Sequence, residues 1–460
     1  MTKVNSVHEL KDRASSIIGI PFHKIDETGR LTTGKGAVGT MIEESWFGQK
    51  PHSDDKPDFA DFGIELKATP YLVNKGYKSK ERLVCNMINY MKEHENNTFE
   101  ESSFYKKCNS ILMMFYEHKE NKTKDTFFVS HVKFMTLSQM MKTENLFFYL
   151  LPQEDIEMMR QDWKVISSKI KNGEAHLISE GDTNYLGACT KASDSKKRVK
   201  QPFSLEPAKP RAFSIKQSYM TYVLNNYVMG QLTHEKLVHN IEELKEKNFE
   251  EIVTDKISPF YGRTDVEIAQ ELGISTKDKG FRNKIIAKIL DIKGNVNDSE
   301  EFQKANITLK AIRVEKSGNI KESMSFPTID FHKMMNDEWE DSEFYNCIGT
   351  SKFMFAIFNK DGANYRLKEV KFWNMPVEDI DEAKIVWEHT KELIINDKAI
   401  IGGRHGFSVE NFPKSSENEV SHVRPHDANL SKGRITLPNG TKIANYCFWL
   451  NRKYLVKITR

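Results

Sequence analysis

Pro57-Asp58, followed by Gly63-Ile64-Glu65-Leu66-Lys67-Ala68-Thr69, is the stretch on which the fold of this chain turns. It spells PD-x6-E-x-K. Polar and apolar residues alternate along its second part, which is the period of a strand, where successive side chains point to opposite faces. Glu65 and Lys67 then project together, while Ile64, Leu66 and Ala68 face a core. Pro57 keeps its neighbourhood extended and can aim Asp58 at the same point. Two carboxylates converging beside a lysine suit a hard divalent cation such as Mg2+, which takes its oxygen ligands from one or two carboxylates and from substrate phosphate. That is the equipment of metal-assisted phosphodiester hydrolysis. An exposed strand carrying an ion pair spells the same letters in a chain that is 29% charged, so the motif alone leaves both open.

The bulk properties narrow the class. A length of 460 residues suggests about three domains, or two large ones. At 38% hydrophobic residues the chain can bury real cores. A net charge of +3 permits nucleic-acid binding without arguing for it, so a DNA-binding face has to come from local clustering. Cys85, Cys108, Cys189, Cys347 and Cys447 are scattered, with no C-x-x-C pair. They suit free thiols in a reducing cytoplasm and no zinc site. Met1-Thr2-Lys3-Val4-Asn5 lacks an apolar h-region, so no signal peptide is expected. No apolar run is long enough to span a bilayer.

The chain is written twice. Phe99-Glu100-Glu101-Ser102-Ser103-Phe104-Tyr105 returns roughly 240 residues later as Trp339-Glu340-Asp341-Ser342-Glu343-Phe344-Tyr345. Lys80-Glu81 pairs with Lys321-Glu322, and Val132-Lys133-Phe134 with Val370-Lys371-Phe372. Pro152-x-Glu154-Asp155-Ile156 before Trp163 recurs as Pro376-x-Glu378-Asp379-Ile380 before Trp387. Phe213-x-Ile215-x3-Tyr219 recurs as Phe448-x-Leu450-x3-Tyr454. All five matches run in the same order, which argues for two copies of one fold. Residues 1–230 form the first copy, 231–260 a charged helical connector, and 261–460 the second copy.

Each copy reads as mixed α/β, a central sheet flanked by helices. Ser6-Val7-His8-Glu9 is a capping box ahead of an amphipathic helix carrying Val7, Leu10, Ala14 and Ile17. A second helix is expected over 38–47, strands over 64–71, 83–90, 111–117 and 127–134, and a long helix through Ile156, Met159, Trp163, Ile166 and Ile170 that stops at Gly173. In the second copy Ile307-Thr308-Leu309-Lys310-Ala311 aligns with Ile64-Glu65-Leu66-Lys67-Ala68. The lysine is kept, but Thr308 stands where Glu65 should be. A neutral hydroxyl is a poor Mg2+ ligand. One working site and one degenerate, binding-only copy follow, with a purely structural second copy as the alternative.

Gly39-x4-Glu44-Ser45-Trp46-Phe47-Gly48, Lys56-Pro57-Asp58 and Gly63-Ile64-Glu65-Leu66-Lys67-Ala68-Thr69-Pro70 together resemble the MutH-like nucleases, and among them the Sau-type restriction endonucleases that cut at GATC. The resemblance spans essentially the whole chain, taking in Lys80-Glu81-Arg82-Leu83, Ser179-Glu180-Gly181 and Arg211-Ala212-Phe213-Ser214. It implies two tandem MutH-like domains, catalytic first and effector second. It further implies that Asp58, Glu65 and the Leu66 carbonyl are metal ligands, that Lys67 orients the attacking water, and that Glu44 is an added catalytic acid. From Gly39 the helix carries one extra residue here, so Glu43 competes for that role, whereas the spacing back from Trp46 favours Glu44.

The DNA-reading positions carry over unevenly. The family loop Arg-Pro-Lys-x-x-Asn is Cys189-Thr190-Lys191 in copy one, where only Lys191 is kept and Ser214 takes the aromatic position. In copy two it is Arg424-Pro425-His426-Asp427-Ala428-Asn429, with Trp449 at the aromatic position. The degenerate copy therefore keeps the more MutH-like recognition loop, and an Arg there can contact guanine in the major groove. A surface ion pair is the plainer role for Arg424. Lys191, Lys196, Lys197, Arg198, Lys200, Lys209 and Arg211 form a basic stretch expected to touch DNA phosphates. Lys191, Arg211, Arg424, Pro425 and Trp449 are the DNA-binding candidates.

Gly34-Lys35-Gly36-Ala37-Val38-Gly39 fits G-x-G-x-x-G, but Arg30-Leu31-Thr32-Thr33 is a poor strand, so a dinucleotide site is not expected. No P-loop is present, so no nucleotide cofactor is called for. His422 and His426, with Pro425 between, read as a solvated pair. The expected partner is double-stranded DNA containing GATC, two duplexes per chain. With one intact site per chain, cutting both strands needs a homodimer on DNA or two visits. A MutH-like repair nickase and a catalytically silent DNA-binding regulator are the other classes.

Overall fold

The computed structural model describes residues 4–32, 34, 36–52, 55–74, 76–120, 122–191, 196–231, 234–426 and 434–460. Ser6 caps the first helix, α1 (Val7–Ser16), its hydroxyl accepting the Glu9 amide at 3.1 Å. Leu10 and Ala14, one turn apart, form the buried stripe. The next helix, α2 (Ala37–Met41), opens after Gly36, whose φ of 91° is a left-handed value that glycine adopts without a Cβ penalty. It runs on into one π-helical turn, Ile42–Trp46. Arg30–Thr32 ahead of it is a 3-10 turn rather than a strand.

Then come β1 (Glu65–Val73), β2 (Tyr77–Ser79), β3 (Leu83–Met87), helix α3 (Ser103–Cys108), β4 (Ser110–Glu117), β5 (Val129–Thr136), β6 (Tyr149–Leu150), the 19-residue α4 (Gln153–Lys171), β7 (Leu186–Thr190) and β8 (Arg211–Ile215). The main sheet has order β2-β1-β4-β5-β6, and β1 runs parallel to β4. A smaller antiparallel sheet has order β3-β8-β7. The period of two divides β4 between two cores. Leu112 and Met114 join Leu10, Met41 and Leu66 on the α1/α2 face. Ile111, Met113 and Phe115 join Phe104, Trp163 and Phe213 on the other.

The second half repeats this plan. It holds α5 (Phe249–Ile257), α6 (Phe281–Ile289), β9 (Ile307–Val314), β10 (Met324–Thr328), α7 (Glu343–Ile348), β11 (Lys352–Asp361), β12 (Asn364–Trp373), the 19-residue α8 (Val377–Ile395), β13 (Ser421–Pro425) and β14 (Tyr446–Leu450). β9 is parallel to β11 and β11 antiparallel to β12, as β1, β4 and β5 are. The small sheet β10-β14-β13 matches β3-β8-β7. The chain is thus two tandem α/β units built on one plan.

The correspondence runs further back than the sequence repeat. Asn248 and Glu251 cap α5 reciprocally, in the place where Ser6 caps α1. Gly280, φ 75°, opens α6 as Gly36 opens α2. The helical connector packs its apolar residues inward. Leu237, Val238, Leu244, Phe249, Ile252, Val253 and Ile257 are buried in one core with residues of both halves. Buried polar groups also join the halves. Lys304, 1% exposed, sits between Asp155 at 2.7 Å and Glu300 at 2.6 Å, and Tyr219 donates to Asp155 at 2.8 Å. Arg82 pairs with Glu180, which also accepts the Tyr345 hydroxyl at 2.8 Å. Such pairs recover their desolvation cost only in a fixed geometry, so they define one seating of the two halves. Among the described residues no helix is long and apolar enough to cross a membrane.

Candidate active site

The PD-x6-E-x-K spacing is a closed loop. Phe59 and Ile64 exchange both backbone hydrogen bonds, at 2.9 and 3.3 Å, around a 3-10 turn. Gly63 supplies the left-handed residue (φ 66°) that ends the turn and starts β1. The chain therefore doubles back, and Asp58 lands beside Glu65. Asp58 Oδ2 accepts the Leu66 amide at 2.8 Å, while the Asp58 amide donates to Glu65 Oε2 at 3.2 Å. Lys67 Nζ donates to Glu65 Oε1 at 2.7 Å and to the Cys85 carbonyl of β3 at 3.3 Å. The lysine thus ties the main sheet to the small one. Glu65 is only 2% exposed because α3 and β3 cover its face of the sheet.

The electrostatics are those of an acidic site short of positive charge. Burial pushes the Glu65 carboxyl up, opposed by Lys67 and assisted by Asp58. Burial works against the Lys67 ammonium, but Glu65, with the Cys108 and Cys85 groups, more than offsets it and holds the lysine above its usual range. Lys67 is therefore a charged donor, not a base. Lys107 of α3 brings a second ammonium to 3.9 Å from Glu65 Oε1. The sequence carried no local signal for it, since it lies on another element.

The structure separates the two acids of the preceding helix. Glu44 is taken by Arg30 in a two-pronged pair, Nε to Oε2 at 2.8 Å and Nη2 to Oε1 at 2.9 Å. Glu43 faces the cluster. Its carboxyl is pushed up to about 8, by burial first, then by Asp58 and Glu65, with Lys67 pulling the other way. Of the two acids weighed for the additional role, Glu43 is thus the one coupled to Asp58 and Glu65, and Glu44 the one held by Arg30. The cause is the π-turn, which absorbs the extra residue between Gly39 and Trp46. A count forward from Gly39 keeps its phase, and a count back from Trp46 crosses the bulge.

Asp58, Glu65 and Glu43 supply hard anionic oxygens, and burial beside like charge raises the carboxyls of Glu65 and Glu43, a cost that a divalent cation would relieve. Among the described residues no three His, Cys, Asp or Glu side chains stand close enough to hold a metal ion by themselves. The donor set suits a cation that completes its shell with backbone carbonyl, water and phosphate, as Mg2+ does.

The second copy holds the same corner with other chemistry. Leu309, the counterpart of Leu66, donates its amide to Asn297 Oδ1 at 2.7 Å. Asn297 occupies the place of Asp58, which sequence reasoning missed, and Asn306 (φ 56°) the place of Gly63. Ser342 caps α7 through the Tyr345 amide as Ser102 caps α3 through Tyr105, which sets Cys347 where Lys107 stands.

The DNA-binding candidates divide. Lys191 is exposed, its amide bonded to the Pro210 carbonyl at 2.9 Å. Arg211 is not a surface residue. It is 4% exposed and donates to the Ala188 carbonyl at 2.6 Å, because all five residues of β8 are buried. Arg424 is exposed, with its guanidinium 3.9 Å from the Trp449 ring centre. Trp449 is itself buried, donates to the Arg424 carbonyl at 3.3 Å, and carries His426 stacked at 5.6 Å. It is a platform for Arg424 and His426 rather than an exposed contact. Pro425 ends β13, and Asp427, Ala428 and Asn429 lie outside the described residues. His422 is buried against Asn451 at 2.6 Å, so the two histidines are not a solvated pair.

Residues 47–147 and 290–385 match the family described as DNA mismatch repair enzyme MutH, one stretch in each half. The chain is 35% identical, over 96% of its length and 91% of the relative's, to the type II restriction enzyme Sau3AI of Staphylococcus aureus. A pair of MutH-type units, one with its carboxylates and one without, in a chain so similar from end to end to that enzyme, belongs to the family of MutH-like type II restriction endonucleases, which are site-specific deoxyribonucleases.

Proposed function

We propose that this nuclease makes Mg2+-dependent double-strand cuts at GATC from one site in its N-terminal half, while the C-terminal half binds a second GATC duplex as an effector. The observation that carries the catalytic part is the closed loop seating Asp58 on the Leu66 amide beside the Glu65–Lys67 pair. Asp58, Glu65 and the Leu66 carbonyl would hold the Mg2+, which when bound supplies charge to the phosphate oxygens and acidifies a water. Lys67, kept charged by Glu65, positions the attacking water and offsets the negative charge that develops on the phosphorus oxygens. Lys107 adds to that charge. Glu43, adjoining Asp58 and Glu65, takes the role of the additional acid, and its neighbour Glu44 is left to fix Arg30.

The GATC target rests on the likeness of the segments around Glu44, Asp58 and Glu65 to the Sau-type enzymes. Lys191 serves the first half as a DNA contact. Arg424, braced by Trp449 and followed by Pro425, serves the second. Residues 1–230 make the catalytic unit. The effector unit takes in 261–460 together with the helix at Asn248, so that the connector is largely its first element. Free thiols at all five cysteines fit a bacterial cytoplasm.

The test is digestion of plasmid carrying one GATC, with Mg2+ or chelator, followed by mapping of the ends. Linear product cut at GATC only with Mg2+ is expected, together with its loss in Glu65→Gln while DNA binding persists. Because each chain carries one intact acidic site, stable accumulation of nicked circles would favour a repair-type nickase instead. Cleavage by Glu65→Gln at the parent rate would remove the site.

A further inference from the structure

The vestigial corner of the second half has lost negative charge without losing its shape. Asn297 replaces Asp58 on the same backbone amide, and Thr308 replaces Glu65 on the same strand face. Lys310 keeps the position of Lys67. In the first half the lysine is matched by Glu65 at 2.7 Å. In the second, no carboxylate among the described residues pairs with Lys310. Burial accordingly pushes the Lys310 ammonium down, with only the Cys347 thiol favouring its charge. Lys78 of β2 lies near the same thiol from the other half, with Glu343 opposing it there.

The hydrogen-bonding capacity has reversed as well. The Asn297 side-chain oxygen accepts from Leu309, which leaves its amide nitrogen, a donor, where Asp58 has a second carboxylate oxygen, an acceptor. The Thr308 hydroxyl and Lys310 Nζ are donors too, and neither has an acceptor among the described residues. Where the first half presents acceptors that need a cation before a phosphate can approach, the second presents donors and a positive charge. A dianionic metal site has become a cationic one.

We infer that Asn297, Thr308 and Lys310 form a phosphate site that takes a DNA backbone phosphodiester directly, with no divalent cation, when the second half engages its duplex. This deepens the proposal that the second half binds DNA and rests on it. It makes effector binding independent of Mg2+, whereas productive binding at Asp58 and Glu65 requires the metal. The protein could then load its effector duplex before catalysis is switched on.

The experiment uses the full chain carrying Glu65→Gln, so that Mg2+ can be added without cutting, and a labelled GATC duplex. Binding is measured in chelator and in Mg2+ over a range of salt. Lys310→Gln is expected to weaken the chelator-resistant binding roughly tenfold and to lower the slope of log affinity against log salt by about one. Lys310→Arg should restore both, which a space-filling role would not require. The double change Asn297→Asp with Thr308→Glu, which rebuilds the acidic pair, should abolish binding in chelator and regain it in Mg2+. Unchanged affinity and salt slope in Lys310→Gln overturn the phosphate site. Arg424→Ala distinguishes the levels. If it weakens binding of the second duplex and Lys310→Gln does not, only the phosphate site fails. If neither changes it, DNA binding by the second half fails and takes the phosphate site with it.

Discussion

The corner of β1 and the corner of β9 are the same piece of backbone with opposite electrostatics. Both strands run parallel to a central neighbour, both follow a left-handed residue (Gly63 or Asn306), and both offer a leucine amide near the strand's start (Leu66 or Leu309) to a side-chain oxygen at nearly equal distance, 2.8 Å for Asp58 and 2.7 Å for Asn297. What differs is charge. Asp58 and Glu65 have become Asn297 and Thr308, and Lys107 has become Cys347. The fold is therefore indifferent to whether the corner is ionised, because an amide satisfies the Leu309 N–H as well as a carboxylate satisfies that of Leu66. Function is not indifferent, and it is lodged in the few side chains that leave the backbone unchanged.

The sharpest way to break this comparison is to neutralise each corner in turn. Glu65→Gln removes one negative charge from a nearly isosteric side chain and should lower the cleavage rate by about a thousandfold. Asn297→Ala, at the matching site, should lower it less than about tenfold, through weaker effector binding alone. Single-turnover cleavage of a labelled duplex reads both, and comparable losses in the two variants would mean that both corners are catalytic. The next test concerns the helix ahead of β1. Glu43→Gln should cost roughly 10–100-fold in activity or metal affinity, as an oriented carboxylate beside metal ligands does. Glu44→Gln gives up a solvent-screened pair with Arg30 and should change the rate little. The reverse order of effects would return the role to Glu44.

Most of the architecture was legible because it is written in local periods. The alternation around Glu65 and Lys67, the capping residue Ser6 and the long apolar stripe of α4 each lie within one element, and the repeat doubled every signal. The parts that were not legible depend on backbone geometry that letters do not carry. Asn297 stands twelve residues before Leu309, whereas Asp58 stands eight before Leu66. The helix Glu300–Ala305 fills the difference, so no spacing rule connects Asn297 with Asp58. The choice between Glu43 and Glu44 turned on where one π-turn absorbs an inserted residue. Arg211 belonged to a basic run, but it sits on a strand covered on both faces, where charge says nothing about exposure. Lys107 reaches Glu65 only through the packing of α3 on the sheet.

The recognition positions give a smaller contrast. Arg424 is pre-oriented by the Trp449 face, so little side-chain freedom is lost when it meets a base edge. Arg424→Ala should weaken binding of the second duplex about tenfold and relax its sequence preference. Lys191→Ala, at an exposed and unbraced position, should weaken binding evenly across sequences and reduce the salt slope by about one. Competition binding with GATC and scrambled duplexes checks both. Equal loss of preference in the two variants would mean that the halves read DNA alike.

The smallest effect is one of pH, and only the acidic corner should show it. Glu43 has a carboxyl raised from the ordinary 4.5 to about 8, so between those values the folded chain binds a proton that the unfolded chain has released. Stability then falls as pH rises through that window, because the unfolded state is the less protonated one. Glu65, raised by burial, contributes in the same direction. In chelator the thermal midpoint should drop from pH 5 to pH 8. Glu43→Gln should flatten part of that slope and leave the Glu65 share. Mg2+ should oppose the drop, since a cation among the carboxylates favours their deprotonated forms and its affinity grows as they lose protons. The neutral corner at Asn297 and Thr308 has no carboxylate to titrate, so replacing Asn297 with Ala should leave the slope as it was. A slope that persists in full in Glu43→Gln would place the proton on another group and detach Glu43 from the cluster.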